Sequence, residues 1–177
     1  KILITGGSQG SSKINSLVQV ILTDFLKKYE IWHLSGKRDY PKLMQFQKES
    51  LNNNPFYHLF EFTYLMPKFM RDADLVVSRA GANTLAEISA SGKPAIIIPL
   101  STAANEHQSA NAQVYFKLNA AVVVSEENLT SNSLLAIIEN ILSDAELRNL
   151  LGHHGKSLFQ PESVEEIINT LFEAAKK

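Results

Sequence analysis

Apolar residues in this chain gather in short runs, and amphipathic stretches fill the intervals between them. Lys1-Ile2-Leu3-Ile4-Thr5 is the first run, with the mark of a strand covered on both faces. Glu30 to Leu34, Tyr57 to Phe62, Leu75 to Ser78, Ala95 to Ile98 and Ala120 to Val124 read as further strands. Helical spacing begins near Ser12 and runs through Ile14, Leu17, Val18, Ile21, Leu22, Phe25 and Leu26. A second helix starts over Pro41 to Lys48, and Asn52-Asn53-Asn54-Pro55 is a turn cluster. A short helix ends at Arg71-Asp72-Ala73-Asp74, and the next opens near Thr84. The helix after Gln108 offers Val114, Tyr115 and Leu118 as its core stripe. The remainder is helical: Leu134 to Leu142, then Ala145 to Leu151 with Ser143-x-x-Glu146 as capping box and Gly152 as stop, then a helix opened by Ser163-x-x-Glu166. Strands alternating with helices predict an α/β protein, a doubly wound parallel sheet of about six strands.

Such Rossmann-like sheets bind ligands at the carboxyl ends of their strands. The Gly6–Gly10 loop, the exit at Thr63, the turn from Ala82 to Glu87 and the loop before Gln108 all fall on that edge. In Gly6-Gly7-Ser8-Gln9-Gly10 the glycines let backbone pass close to a ligand, and Ser8 can meet a phosphate or ribose oxygen. The loop lacks the Gly-Lys-Ser/Thr of a Walker A motif and the G-x-G-x-x-G spacing, so a tight turn without ligand is its other reading. Ala82, Asn83 and Thr84 stand at a helix amino end, where free N–H groups favour anions. Glu87 can reach over the same opening, its two oxygens suited to the neighbouring hydroxyls of a ribose. Thr84-x-x-Glu87 is equally a capping box, which alone would place both residues. Gln108 and Asn111 share a helix face, turned either to a sugar or to water.

Composition narrows the chemistry. A net charge of −1 without a basic patch argues against nucleic-acid binding. With no cysteine, disulfides, thiolate metal sites and cysteine nucleophiles are excluded. No apolar run approaches membrane-spanning length. His33 and His58 read as structural residues inside strands, and His153-His154 as a solvated pair, so no metal site is expected. His107 beside Glu106 offers an acid/base pair only weakly, because adjacent residues on a helix diverge. No repeat or linker divides residues 1–177, which read as one domain; the opening inside a strand pattern reads as half of something longer.

The segments Thr5-Gly6-Gly7-Ser8-Gln9-Gly10, Ile31-Trp32-His33-Leu34-Ser35-Gly36, Ala73 to Glu87 and His107-Gln108-x-x-Asn111-Ala112 resemble the donor half of a GT-B glycosyltransferase, specifically the MurG family. That resemblance implies the carboxyl-terminal half of a GT-B fold, binding UDP-N-acetylglucosamine. It further implies transfer of N-acetylglucosamine to undecaprenyl-pyrophosphoryl-MurNAc-pentapeptide, turning lipid I into lipid II in peptidoglycan synthesis, hence cell wall biogenesis, cell shape and division. By the same resemblance Gly7, Ser8, Gln9 and Gly10 meet the diphosphate, Thr63 lies against the uracil, and Ala82, Asn83 and Thr84 hold diphosphate and sugar. Glu87 takes the ribose hydroxyls, Gln108 contacts the N-acetylglucosamine, and Leu85 and Asn111 belong to the same donor site. The implied enzyme is inverting and uses neither cofactor nor metal. It sits on the cytoplasmic face of the bacterial inner membrane, where its amino-terminal half, absent from this chain, carries the lipid-acceptor surface and the general base. No catalytic residue is therefore assigned here, and the segment alone is expected to be inactive. One departure stands out: Thr63-Tyr64-Leu65 occupies the place of the family's Ile-Asp-Asp, leaving the uracil contact to the backbone.

Two other readings stay open. One is a non-catalytic domain that binds a nucleotide or a partner chain, or the donor subunit of another UDP-sugar transferase. The other is a dinucleotide-dependent oxidoreductase, opposed by Ser35-Gly36-Lys37, which supplies no acidic residue after the second strand.

Overall fold

The six apolar runs form one parallel sheet in the computed structural model, which describes residues 1–100 and 106–174. Its strands are β1 (Ile2–Thr5), β2 (Ile31–Leu34), β3 (Tyr57–Phe60), β4 (Leu75–Ser78), β5 (Ala95–Ile97) and β6 (Val122–Val123), in spatial order β3-β2-β1-β4-β5-β6. Ile2 pairs with Ile31 on one side and with Leu75 on the other, so β1 and β4 form the middle of the sheet. The helices are α1 (Ser12–Phe25), α2 (Tyr40–Ser50), α3 (Met66–Asp72), α4 (Ala82–Ser91), α5 (Glu106–Lys117), α6 (Ser131–Ser143), α7 (Ala145–Ser157) and α8 (Ser163–Ala174), with a 3-10 turn at Glu126–Asn128.

Strand periodicity divides each apolar run between two helix layers. Ile2, Ile4, Leu75, Val77, Ile96 and Ile98 pack with Ile14, Val18 and Leu22 of α1 and Leu134 and Ile138 of α6. Leu3, Val76, Ala95 and Ile97 face the other way, onto Phe69 and Met70 of α3, Leu85 and Ile88 of α4 and Tyr115 of α5. Each large apolar side chain buried this way contributes about 1.5–3 kcal/mol. Strands of two to four residues are held by these layers more than by their own ladders.

Several element ends depart from the local sequence signals. Asp144, not Ser143, caps α7, its Oδ1 accepting the Leu147 amide at 2.9 Å. The helix then runs through Gly152, the expected stop, to Ser157. A Cβ at Gly152 would lie 2.5 Å from Gly92 O, so this glycine serves a close approach between α7 and the left-handed carboxyl cap of α4. Thr130 caps α6 in a reciprocal box with Ser133, starting that helix ahead of Leu134. On α5 the inward residues are Ala112 and Tyr115; Val114 and Leu118 are each 48% exposed. The capping box expected at Ser163 rests on a side chain outside the described residues, as does the segment 101–105 of the polar loop. Among the described residues no helix is long and apolar enough to cross a membrane.

Candidate functional site

Strand order reverses beside β1, with β2 and β3 on one side and β4 to β6 on the other. Sheets of this order open a crevice at the carboxyl ends of the strands where the reversal occurs. A cleft of about 960 Å³ lies there, walled by the Gly6–Ser12 loop, Glu61 to Thr63, Gly81 to Thr84 with Glu87, and Gln108.

The glycine loop is built by backbone contacts. Thr5 Oγ1 accepts the Gly7 amide at 3.1 Å, and Gly7 O accepts the Gly10 amide at 3.0 Å, closing the turn. Gly7 and Gly10 hold φ of 80° and 72°, the left-handed region that favours glycine. A Cβ on Gly10 would stand 2.2 Å from Ser35 O, so the loop rests directly on the turn between β2 and α2. Ser8 and Gln9 are exposed at its crest. Ser11 caps α1, its Oγ accepting the Ile14 amide at 3.3 Å, and Ser12 and Lys13 carry the amino end of α1 into the cleft wall.

A second helix amino end faces the same space. Gly81 is the cap of α4, extended at φ −71° and ψ 135°, and among the described residues no side chain bonds to that end. The first bond of the helix runs from Leu85 N to Gly81 O at 2.9 Å. The amides of Ala82, Asn83 and Thr84 therefore precede the helical ladder and are available to an anion. Thr84 is the third helical residue and not the cap, so the capping-box account of Thr84 and Glu87 is overturned. Extended backbone at Gly81 lets the helix start two residues sooner than Thr84. Asn83 and Glu87, at i and i+4, share a helix face, and both line the cleft together with Thr84. The Glu87 carboxyl is half-buried there, and burial raises its pKa above the ordinary carboxylate value.

Of the residues singled out in the sequence, Gly7, Ser8, Gln9, Gly10, Thr63, Ala82, Asn83, Thr84, Glu87 and Gln108 all line this cleft. Gln108 Oε1 accepts the Leu100 amide at 3.2 Å, which ties α5 to the exit of β5. Leu85 and Asn111 do not line it. The Leu85 side chain is buried in the core and its amide is committed to Gly81 O. Asn111 Nδ2 donates to Ala80 O at 3.1 Å, supporting the turn from behind. His107 is exposed, and the side chain of Glu106, its suggested acid/base partner, lies outside the described residues. Among the described residues no cluster of three metal-ligating side chains forms. His58 meets Glu30 at 3.1 Å, and His154 Nδ1 lies 3.3 Å from Asn119 O.

Local spacing gave no role to Arg79 or Glu126, yet both line the cleft. The Arg79 guanidinium is buried at the end of β4. It donates to Ile98 O at 3.2 Å, Pro99 O at 3.3 Å, Ser11 Oγ at 2.8 Å and Glu126 Oε1 at 2.5 Å. One side chain thus fastens the exits of β4 and β5, the cap of α1 and the 3-10 turn. The only sequence signal was a cation set between an apolar strand and a small-residue turn.

A sequence model described as the glycosyltransferase family 28 C-terminal domain matches residues 1–167. The chain is similar to the UDP-N-acetylglucosamine--N-acetylmuramyl-(pentapeptide) pyrophosphoryl-undecaprenol N-acetylglucosamine transferase of Listeria welshimeri, at 34% identity over 96% of this chain and 47% of that protein. A Bacillus thuringiensis protein of the same name, numbered 2, is 36% identical over 99% of this chain and 48% of its own length. The chain therefore spans about half the length of the curated relatives it matches. Among solved structures, MurG of Acinetobacter baumannii superposes with a TM-score of 0.77 at 25% identity, covering 98% of this chain and 49% of that one. The glycosyltransferase SnogD of Streptomyces nogalater, at 19% identity, shares the fold with a TM-score of 0.65 over 96% of this chain and 43% of its own. With a family match running from the first strand to the last helix, the chain belongs to the glycosyltransferase family 28 C-terminal domain family.

Proposed function

We propose that the cleft binds UDP-N-acetylglucosamine and that the full-length protein transfers its sugar to undecaprenyl-pyrophosphoryl-MurNAc-pentapeptide, converting lipid I into lipid II. The observation that carries the reading is the meeting of two helix amino ends and the Glu87 carboxylate in a single cleft. The names of the half-matched relatives supply the sugar and the acceptor. In this reading the Gly7–Gly10 loop and the amides of Ala82 to Thr84 hold the diphosphate, and Glu87 accepts two ribose hydroxyls. Thr63 meets the uracil through its backbone, and Gln108 contacts the N-acetylglucosamine. An acceptor hydroxyl attacks the anomeric carbon as UDP leaves, and charge growing on the diphosphate falls on preorganised N–H groups. The base that takes the hydroxyl proton, together with the surface for the lipid acceptor, belongs to an amino-terminal half. The whole enzyme works at the cytoplasmic face of the bacterial inner membrane.

Loss of the ribose contact gives the test. Glu87→Ala weakens UDP binding about 10- to 100-fold, the equivalent of roughly 1.5–3 kcal/mol for charge-assisted hydrogen bonds. Calorimetric titration of the folded variant checks this; unchanged affinity removes Glu87 from the ribose. Adding an amino-terminal half to this domain and following sugar transfer separates a transferase from a domain that only binds nucleotide.

A further inference from the structure

We propose that Tyr57, His33 and Asn15 form a positioning relay that sets the shape of the glycine loop from the edge strand β3. The inference rests on the reading of that loop as the diphosphate site and adds to it residues outside the cleft.

The relay is a chain of buried hydrogen bonds. Tyr57 on β3, His33 on β2 and Asn15 on α1 are 2%, 0% and 3% exposed. His33 Nδ1 lies 2.9 Å from the Tyr57 hydroxyl, and His33 Nε2 lies 2.9 Å from Asn15 Oδ1. Asn15 Nδ2 donates to Ser35 O at 2.9 Å and to Asp39 Oδ2 at 2.8 Å. Those two donations use both amide hydrogens, so the Asn15 oxygen must face His33. His33 then carries its proton on Nε2, and Nδ1 accepts from the Tyr57 hydroxyl. Each member fixes the next. With the other tautomer Asn15 would turn over and set its oxygen against the Ser35 carbonyl and the Asp39 carboxylate.

Both ends of Asn15's grip touch the cleft loop. Ser35 O is the atom against which Gly10 rests, with no room for a Cβ between them. Asp39 Oδ2 accepts the Ser12 hydroxyl at 2.6 Å, and Ser12 opens α1 in the cleft wall. Burial pushes the Asp39 carboxyl up, but bonds from Ser12 and Asn15, with Arg38 beside it, outweigh this and keep it below the ordinary range. Among the described residues no buried side-chain nitrogen or oxygen lacks a partner, so losing one hydroxyl orphans its neighbour.

Tyr57→Phe removes only that hydroxyl. The expected result is displaced backbone amide resonances of Gly10 and Ser12 in the unliganded domain and UDP binding about tenfold weaker. Ile141→Ala, a core truncation on α6, which carries no member of the relay, loses stability while leaving both amides and UDP affinity as in the parent. Should Tyr57→Phe fail to fold, Asn15→Asp, which keeps the side-chain volume and loses the donation, takes its place with the same expected outcome. Unmoved Gly10 and Ser12 amides with parental affinity overturn the relay, as does an equal loss of affinity in Ile141→Ala. If the parent itself does not bind UDP, the reading of the cleft fails, and the Gly10 and Ser12 resonances still decide the relay.

Discussion

Arg79→Ala costs about 3–5 kcal/mol of folding stability, the usual loss when one partner of a buried ion pair is removed. In a chain of this length that lowers the melting temperature by about 6–20 °C. The loss is large because the substitution strands several groups at once. Glu126, whose side chain is only 14% exposed, keeps a carboxylate without its cation. Ile98 O, Pro99 O and the capping Ser11 hydroxyl each lose a donor. Arg79→Lys recovers little of this, since an ammonium cannot reach the strand exits, the α1 cap and the 3-10 turn with one planar fork. Removing the acid as well, as Arg79→Met with Glu126→Gln, restores part of the stability, because no buried charge is then left alone. Denaturant unfolding of the three variants checks the argument. A loss below about 1 kcal/mol for Arg79→Ala means that the guanidinium is solvated and the pair is of the exposed kind.

Acid removes about 3 kcal/mol of stability through His33 alone, at about 1.4 kcal/mol for each pKa unit. Burial is the main cause holding the imidazole pKa down to about 4 from an ordinary 6.5, and nearby Asp39 only partly opposes it. Below pH 6.5 the unfolded chain takes up a proton that the folded protein refuses until about pH 4. Stability is therefore fully present above the unfolded value and drains away as pH falls through this window. Carboxylates titrate near its lower end, so the measurement is a difference. Urea unfolding of the parent and of His33→Gln, compared at pH 7 and pH 4, isolates the imidazole. The parent loses about 3 kcal/mol more than the variant over that interval. Parallel losses mean that water reaches His33 in the folded state.

Much of this fold was legible because the apolar runs and their separators are local. Leu75 to Ser78 was read to the residue, and the start of α1 at Ser12 followed from helical spacing after a glycine turn. Ends settled by backbone geometry or neighbours were harder to read. Gly81 caps α4 through its extended conformation, with no side-chain bond to betray it. Gly152 looked like a stop, but it is the point where α7 meets the end of α4, about 60 residues away in the chain. The same division holds in the cleft. The glycine loop and the α4 turn line the cleft with consecutive residues, so spacing and resemblance could single them out. Arg79 and Glu126 meet across a sequence separation of 47, and no local pattern records that meeting. Asn111 has the spacing of a cleft residue beside Gln108, but Ala80 O captures its amide first.

In the proposed function the amino ends of α1 and α4, with the glycine loop, grip a nucleotide diphosphate. Titration of the domain with UDP-N-acetylglucosamine, followed through its backbone amide resonances, puts that grip to the test. Saturable shifts are expected, concentrated at Gly7, Gly10, Ser12 and Ala82 to Thr84, reproduced by UDP and weaker with uridine, which lacks the diphosphate. Shifts that spare both helix ends, or that uridine reproduces in full, contradict it.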